Sequence, residues 1–214
     1  MQTGQWLRSD TDTRWFFDSG SLGLDFAYLG GFRAGSRFGP ESGLALPADG
    51  STPWDGLLLP PDLDDWIGER FEGVAGAAGD RELADARGLR DAIARLAVAA
   101  ADGTSTDPQD VDTLNLFAAL PDVPPSLEGG RRQAGAGRLR LGQAMASVAR
   151  DAVALFTTVG FGGGPDSRMR RCSNEACGLV FYDESRAGSR RWCSMQRCGN
   201  RAKVRAHRQR TAAH

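Results

Sequence analysis

Apolar positions recur along this chain with two different periods, and the change between them marks its elements. Leu89, Ile93, Leu96 and Ala100 follow at spacings of three and four, with Arg87, Asp91 and Arg95 on the other side. That pattern predicts a helix from Asp80 to about Ala101, ended by Gly103. Asp107-Pro108 is a start signal, an acidic N-cap followed by Pro in the first turn, for a helix through Val111, Leu114, Phe117 and Ala118 to Pro121. Two helices joined by a short loop are expected to pack antiparallel. Met145, Val148, Ala152, Leu155 and Val159 mark another helix, closed by Gly160. Leu63, Trp66, Ile67 and Phe71 share one side of a shorter helix that begins at Pro60-Pro61-Asp62. Its first turn holds Asp62, Asp64 and Asp65, where the helix dipole favours negative charge, and this structural role outweighs a metal site.

Near the N-terminus the period shortens to two. Arg14-Trp15-Phe16-Phe17-Asp18, a Ser19-Gly20 turn, and Leu22 to Tyr28 with Leu22, Leu24 and Phe26 alternating predict a β-hairpin. Asp25 on its second strand reads as an exposed residue or turn partner ahead of a group aimed into a pocket. Arg138-Leu139-Arg140-Leu141 also alternates and is expected to add a short strand to the hairpin. Residues 30–53 are dense in Gly, Pro and Ser without a period, which predicts a long loop or a functional flap. Phe161-Gly162-Gly163-Gly164-Pro165 reads as a flexible linker. The chain therefore divides into a front domain at 1–160, a linker at 161–167 and a C-terminal module at 168–214.

That module contains all four cysteines, Cys172, Cys177, Cys193 and Cys198, as two C-x4-C pairs separated by fifteen residues. Each close pair can grip a metal from one short turn, and the gap lets the second pair return to it. Four thiolates fill a tetrahedral sphere and leave no position for a water nucleophile, so one structural Zn2+ is expected. Disulfides fit less well, because the N-terminal segment has none of the basic and apolar regions of an export signal. Gly178 to Tyr182 reads as a strand leaving the first pair, and Arg190-Arg191-Trp192 as a strand entering the second. After Cys198 the composition favours helix. The module is thus a knuckle, a hairpin and a helix, a treble-clef-like finger behind a mainly helical front domain with a small antiparallel sheet, an α+β protein.

Charge separates the same two parts. Residues 168–214 hold twelve Lys and Arg against three acids, a surplus of nine, and the total of −1 then leaves −10 on residues 1–167. Arg197, Arg201, Arg205 and Arg208 lie along one face of the last helix. Like charges at these spacings destabilise an isolated helix, so the face suits an anionic partner better than bare solvent.

Cys198-Gly199-Asn200-Arg201 within this cysteine spacing resembles the CGNR zinc-finger family over about residues 168–210, with Trp192 and Lys203 also fitting. In that family the finger follows an N-terminal domain called ABATE. Gly23-Leu24-Asp25-Phe26-Ala27 and the LPPDLDDW run from Leu59 are similar to parts of that domain. The pattern usually continues after Ala27 with Asn and Thr, where this chain has Tyr28 and Leu29. The resemblance implies a transcription regulator linked to stress response, a finger that binds double-stranded DNA rather than RNA, and a front domain that senses a small effector. Arg190, Arg191, Arg201, Lys203, Arg205, Arg208 and Arg210 are the expected nucleic-acid contacts, mostly to phosphates. A lone small finger binds weakly, so a homodimer that pairs two fingers is expected.

Enzyme chemistry finds little support. The two histidines, His207 and His214, both lie in the basic tail, and no phosphate-loop or dinucleotide fingerprint appears in context. No apolar run reaches the length of a membrane span, and reduced thiols without an export signal point to the cytoplasm. The competing reading is a protein-interaction module whose basic helix meets an acidic partner, or the acidic body of its own chain.

Overall fold

The structure is a computed structural model that describes residues 3–8, 14–29, 56–74, 76–125, 139–174 and 177–212. Its elements are β1 (Gln5–Arg8), β2 (Arg14–Phe17), α1 (Leu22–Ala27), α2 (Pro60–Gly68), α3 (Asp80–Asp102), α4 (Pro108–Ala118), α5 (Leu141–Val159), β3 (Met169–Arg171), β4 (Val180–Tyr182), a π-helical turn (Met195–Gly199) and α6 (Asn200–Ala212). The fold is α+β, mainly helical with two small antiparallel two-stranded sheets, β1–β2 and β3–β4.

The long helix α3 is the hub: α1, α2, α4, α5, β3 and β4 all pack against it. The sequence explains why one helix can serve so many neighbours. Leu83, Leu89, Ile93 and Leu96 supply the apolar bulk, and the buried Ala86, Ala92, Ala97 and Ala100 let other backbones come close. Arg95 grips the buried Asp110 of α4 through Nε and Nη2 at 2.6–3.1 Å, which fixes the antiparallel α3–α4 pair. Two of the acids of α2 accept backbone N–H groups. Asp62 accepts the N–H groups of Leu58 and Leu59, and Asp64 that of Ala78.

The N-terminal hairpin differs from the sequence expectation. Its strands are β1 and β2, with Trp6 opposite Phe16 and Leu7 opposite Trp15. Leu22–Ala27, expected as the second strand, is the helix α1, and every residue in it is buried. Ser21 caps it, its Oγ accepting the Leu24 N–H. Asp151 of α5 then accepts both the Ser21 hydroxyl and the Gly23 N–H. Gly23 is required by packing, because a Cβ there would lie 2.8 Å from the Ala152 methyl. Asp25 is fully buried rather than exposed, accepting the Gly4 N–H and the Ser19 hydroxyl, both at 2.6 Å. Leu139 bridges to Val74 in parallel and adds nothing to the hairpin. The 30–53 loop and Arg138 lie outside the described residues.

The joint after α5 makes specific contacts with the end of α3. Gly103 ends α3 in the left-handed region at φ 68°, and Gly163 lies directly against it. A Cβ on Gly163 would come within 2.6 Å of the Gly103 Cα and N. The Phe161 ring packs on Phe156 at 5.6 Å. These contacts seat the segment against the end of α3 and carry the chain straight into β3.

Candidate metal centre and basic helix

The four cysteines reach one point from two turns. Cys172 follows β3 and Cys177 precedes β4, while Cys193 and Cys198 flank the start of the π-helical turn. The hairpin joining the pairs differs from the expected one. β4 pairs with β3, Met169 opposite Tyr182 and Arg171 opposite Val180, and Arg190–Trp192 is not a strand. Arg191 instead uses its carbonyl to accept the Ser173 N–H, which ties the second cysteine turn to the first. Asp183, fully buried at the turn after β4, accepts the Ser185 and Arg190 N–H groups. Burial would raise its carboxyl, but these donors outweigh that and hold it below the usual range.

All four Sγ atoms are buried and lie within 4.8 Å of one another, with Cys177 and Cys193 at 3.7 Å. A disulfide needs about 2.05 Å, whereas two corners of a Zn–S tetrahedron with about 2.3 Å bonds are about 3.8 Å apart. The donor set fits one structural zinc ion. The surroundings also support thiolates. The Asn174 amide donates to Cys198 Sγ at 3.4 Å, and the Cys193 N–H to Cys172 Sγ at 3.5 Å. As bare thiols the four groups conflict. Thiol hydrogen bonds from Cys172, Cys177 and Cys193 hold Cys198 low, while the Cys172 interaction pushes Cys177 and Cys193 up. A divalent cation at the centre lets all four ionise together.

The helix α6 leaves this centre and carries the basic residues outward. Arg201, Lys203, Arg205, Arg208 and Arg210 are all exposed, and only Ala202 and Ala206 are half-buried. Position along the helix splits them into two faces. Arg201, Arg205 and Arg208 border a groove between α6 and the β1–β2 hairpin. Lys203 and Arg210 lie roughly 200° around the helix from them, at about 100° per residue. Among the described residues, no carboxylate of the body forms an ion pair with α6.

Arg190 and Arg197 behave differently from this set. Arg190 spends its Nε and Nη2 donors inside the protein, on the carbonyls of Trp192, Cys193 and Asp18, with its guanidinium 4.0 Å over the Phe181 ring. Arg197 is buried, 4.0 Å over the Trp15 ring. Arg191 is exposed, its guanidinium 5.3 Å from the Trp192 ring. Sequence reasoning gave Arg14 and Trp15 no part in this site, and nothing in their local pattern marks them. Their place beside Arg197 comes from long-range packing.

The finger is docked on the front domain by polar and apolar contacts together. The Tyr28 hydroxyl accepts the Val180 N–H at 2.9 Å, and the Ser19 carbonyl accepts the Tyr182 N–H at 2.8 Å. Arg171 reaches Asp102 at the end of α3 through Nε and Nη2, at 2.6 and 2.5 Å. Met169, Leu179, Val180, Phe181 and the four cysteines belong to the same apolar core as α1 and α3.

Family comparison agrees with this architecture. The family model ABATE, described as "Putative stress-induced transcription regulator", matches residues 20–159, and the CGNR zinc finger model matches residues 168–211. The chain belongs to the ABATE family. No curated protein matches the chain. The ABATE-family match covers α1 to α5, and the finger match starts one residue before β3 and contains every cysteine. Both families are regulatory or zinc-finger families, not enzyme families. No described helix of this ABATE-family chain is long and apolar enough to cross a membrane.

Proposed function

We propose that this chain is a zinc-dependent DNA-binding transcription regulator of the cytoplasm, not an enzyme. Its front domain spans residues 1–160, and its finger, 168–214, follows a connecting segment at 161–167. The observation that carries the reading is α6 itself. It is a thirteen-residue helix with five exposed cations and almost no burial, anchored at one end by four cysteines. A helix this short is marginal in water on its own, and like charges stacked at three and four residues weaken it further. A polyanion supplies what the body does not. Zinc, bound by Cys172, Cys177, Cys193 and Cys198, would fix the root of the helix and neutralise thiolate repulsion; it takes no part in chemistry.

In this reading Arg201, Lys203, Arg205, Arg208 and Arg210 meet phosphates of double-stranded DNA, with Arg191 beside them. Arg190 is left out because its Nε and Nη2 donors are spent on carbonyls of the protein itself. The front domain either senses a small effector or forms a homodimer that pairs two fingers. The test is fluorescence anisotropy of labelled duplex against the zinc-loaded full chain across a salt series. Five phosphate contacts give a slope of about −4.5 in log affinity against log salt, a loss of several hundred-fold between about 50 and 200 mM. A flat response, or equal binding to an acidic polypeptide, would instead make α6 a protein-interaction element.

A further inference from the structure

Between α6 and the N-terminal hairpin runs a groove of about 550 Å³, a size that accommodates a small molecule or a short run of nucleotides. One wall is Arg14 and Trp15 of β2, and the other is Arg201, Arg205 and Arg208 of α6, with Arg197 between them. No carboxylate lines it among the described residues. Arg197 is the unusual member. It is only 6 % exposed, and neither its Nε nor its Nη1 has a hydrogen-bond partner. Its stacking on Trp15 offsets part of the cost of taking a cation out of water, but it satisfies no N–H. Buried charged donors are ordinarily paired, and none of the described side chains pairs with this one.

We propose that this groove is a phosphate-binding cleft shared by the finger and the N-terminal hairpin, with Arg197 at its floor. Among the described residues, every cation lining it is an arginine, whose planar, weakly hydrated guanidinium matches phosphate oxygens two at a time. Lys203, a point charge, lies on the other face of the helix. From Arg201 to Arg208 the helix rises about 10 Å, close to the rise of three nucleotides at about 3.4 Å each along one strand. Trp15 and the half-exposed Val204 give the lining an apolar part. The phosphate belongs either to a nucleic-acid backbone or to a free phosphorylated molecule. Only the first source rests on the DNA reading above.

The experiment uses the zinc-loaded full chain, with labelled duplex DNA and inorganic pyrophosphate as probes. The variants are Arg197→Gln, Arg14→Gln and, as a control far from the groove, Arg81→Gln. For a phosphodiester in the groove, Arg14→Gln and Arg197→Gln each weaken duplex binding several-fold and reduce the salt slope by about 1, and Arg81→Gln does neither. For a free phosphorylated ligand, pyrophosphate raises the wild-type melting temperature by several degrees and leaves both groove variants unmoved. In that outcome duplex binding is the same in all four proteins, or absent from all, and the DNA reading is judged separately. Duplex affinity and pyrophosphate response that are both unchanged in the two groove variants overturn the cleft. Poly-glutamate stabilising the protein as much as pyrophosphate does would overturn the phosphate assignment. Arg14 is exposed, so its variant still decides the matter should Arg197→Gln fail to fold.

Discussion

The hydroxyl of Tyr28, just beyond α1, accepts the backbone N–H of Val180 in β4, across the contact between the front domain and the finger. Both residues are buried, so no water can replace the bond. Burial also pushes the Tyr28 hydroxyl well above the usual tyrosine range, which keeps it neutral. Tyr28→Phe retains the ring, packed edge-on against Phe17 at 5.6 Å, and removes the hydroxyl that accepts the Val180 N–H. The expected cost is about 1–3 kcal/mol, the desolvation penalty of an orphaned amide. It is read as a lower melting temperature together with faster hydrogen exchange at Val180. An unchanged exchange rate at Val180 would show that the bond does not hold the finger in place.

Metal removal is expected to disturb more than the finger. The cysteines share one apolar core with α1 and α3, so losing the centre exposes the underside of both. Chelation, or Cys193→Ser, should abolish the single equivalent of zinc and lower the melting temperature of the whole chain, with the tryptophan near-ultraviolet signal changing in the same transition. Two separate transitions, the later one unaltered by chelation, would contradict this coupling.

Asp25 gives the chain a pH dependence of known sign. Burial raises its carboxyl from 3.8 to about 6, although the Ser19 hydroxyl, the Gly4 N–H and the charge of Arg70 pull it down, and Asp18 adds to the rise. The folded state therefore takes up the proton before the unfolded chain does. Above about pH 6 the ionised, buried form carries a penalty of roughly 3 kcal/mol, which fades as the pH falls towards the unfolded value. Measured against Asp25→Asn at saturating zinc, the wild type should gain stability between pH 7 and 5. A difference that stays flat with pH would rule out the raised carboxyl.

The glycines after α5 are not equivalent. Gly163 has φ 58° and its Cβ direction is blocked by the Gly103 backbone, whereas Gly162 has open space. Gly163→Ala is expected to cost on the order of 2 kcal/mol, a fall of about 4–8 °C in melting temperature for a chain of this size. Gly162→Ala should be close to neutral. Equal, small effects at both positions would mean that the segment moves free of α3.

Much of the local structure was legible in the sequence because its signals are local. The cysteine pairs grip one point through short turns, and the amphipathic periods of α3, α4 and α5 match their buried faces. The error at Leu22–Ala27 has a specific cause. Leu22, Leu24 and Phe26 alternate, but the residues between them, Gly23, Asp25 and Ala27, are buried as well. A helix enclosed on all sides has no polar face to reveal its period. The Ser21 cap was the available signal. β3 was missed because Met169-Arg170-Arg171 looks like a basic loop, and β4 rather than its composition makes it a strand. The docking of the finger was illegible for a different reason. Tyr28 to Val180, Asp18 to Arg190 and Asp102 to Arg171 are separated by 152, 172 and 69 residues. No pattern along the chain encodes such pairs, although Tyr28 was visible as a departure from the usual family sequence.

On the proposed reading of two paired copies on DNA, the contact between Gly103 and Gly163 bears on how they would address that long ligand. A slack tether lets a reading head sample many separations and tolerate a range of spacings between its targets. Here β3 and the packed glycines seat the finger against α3, so on the proposed reading the body would act as a ruler. In any symmetric pair, the distance between the two helices is set by where the bodies meet, and a shift of half a turn in target spacing is penalised in full.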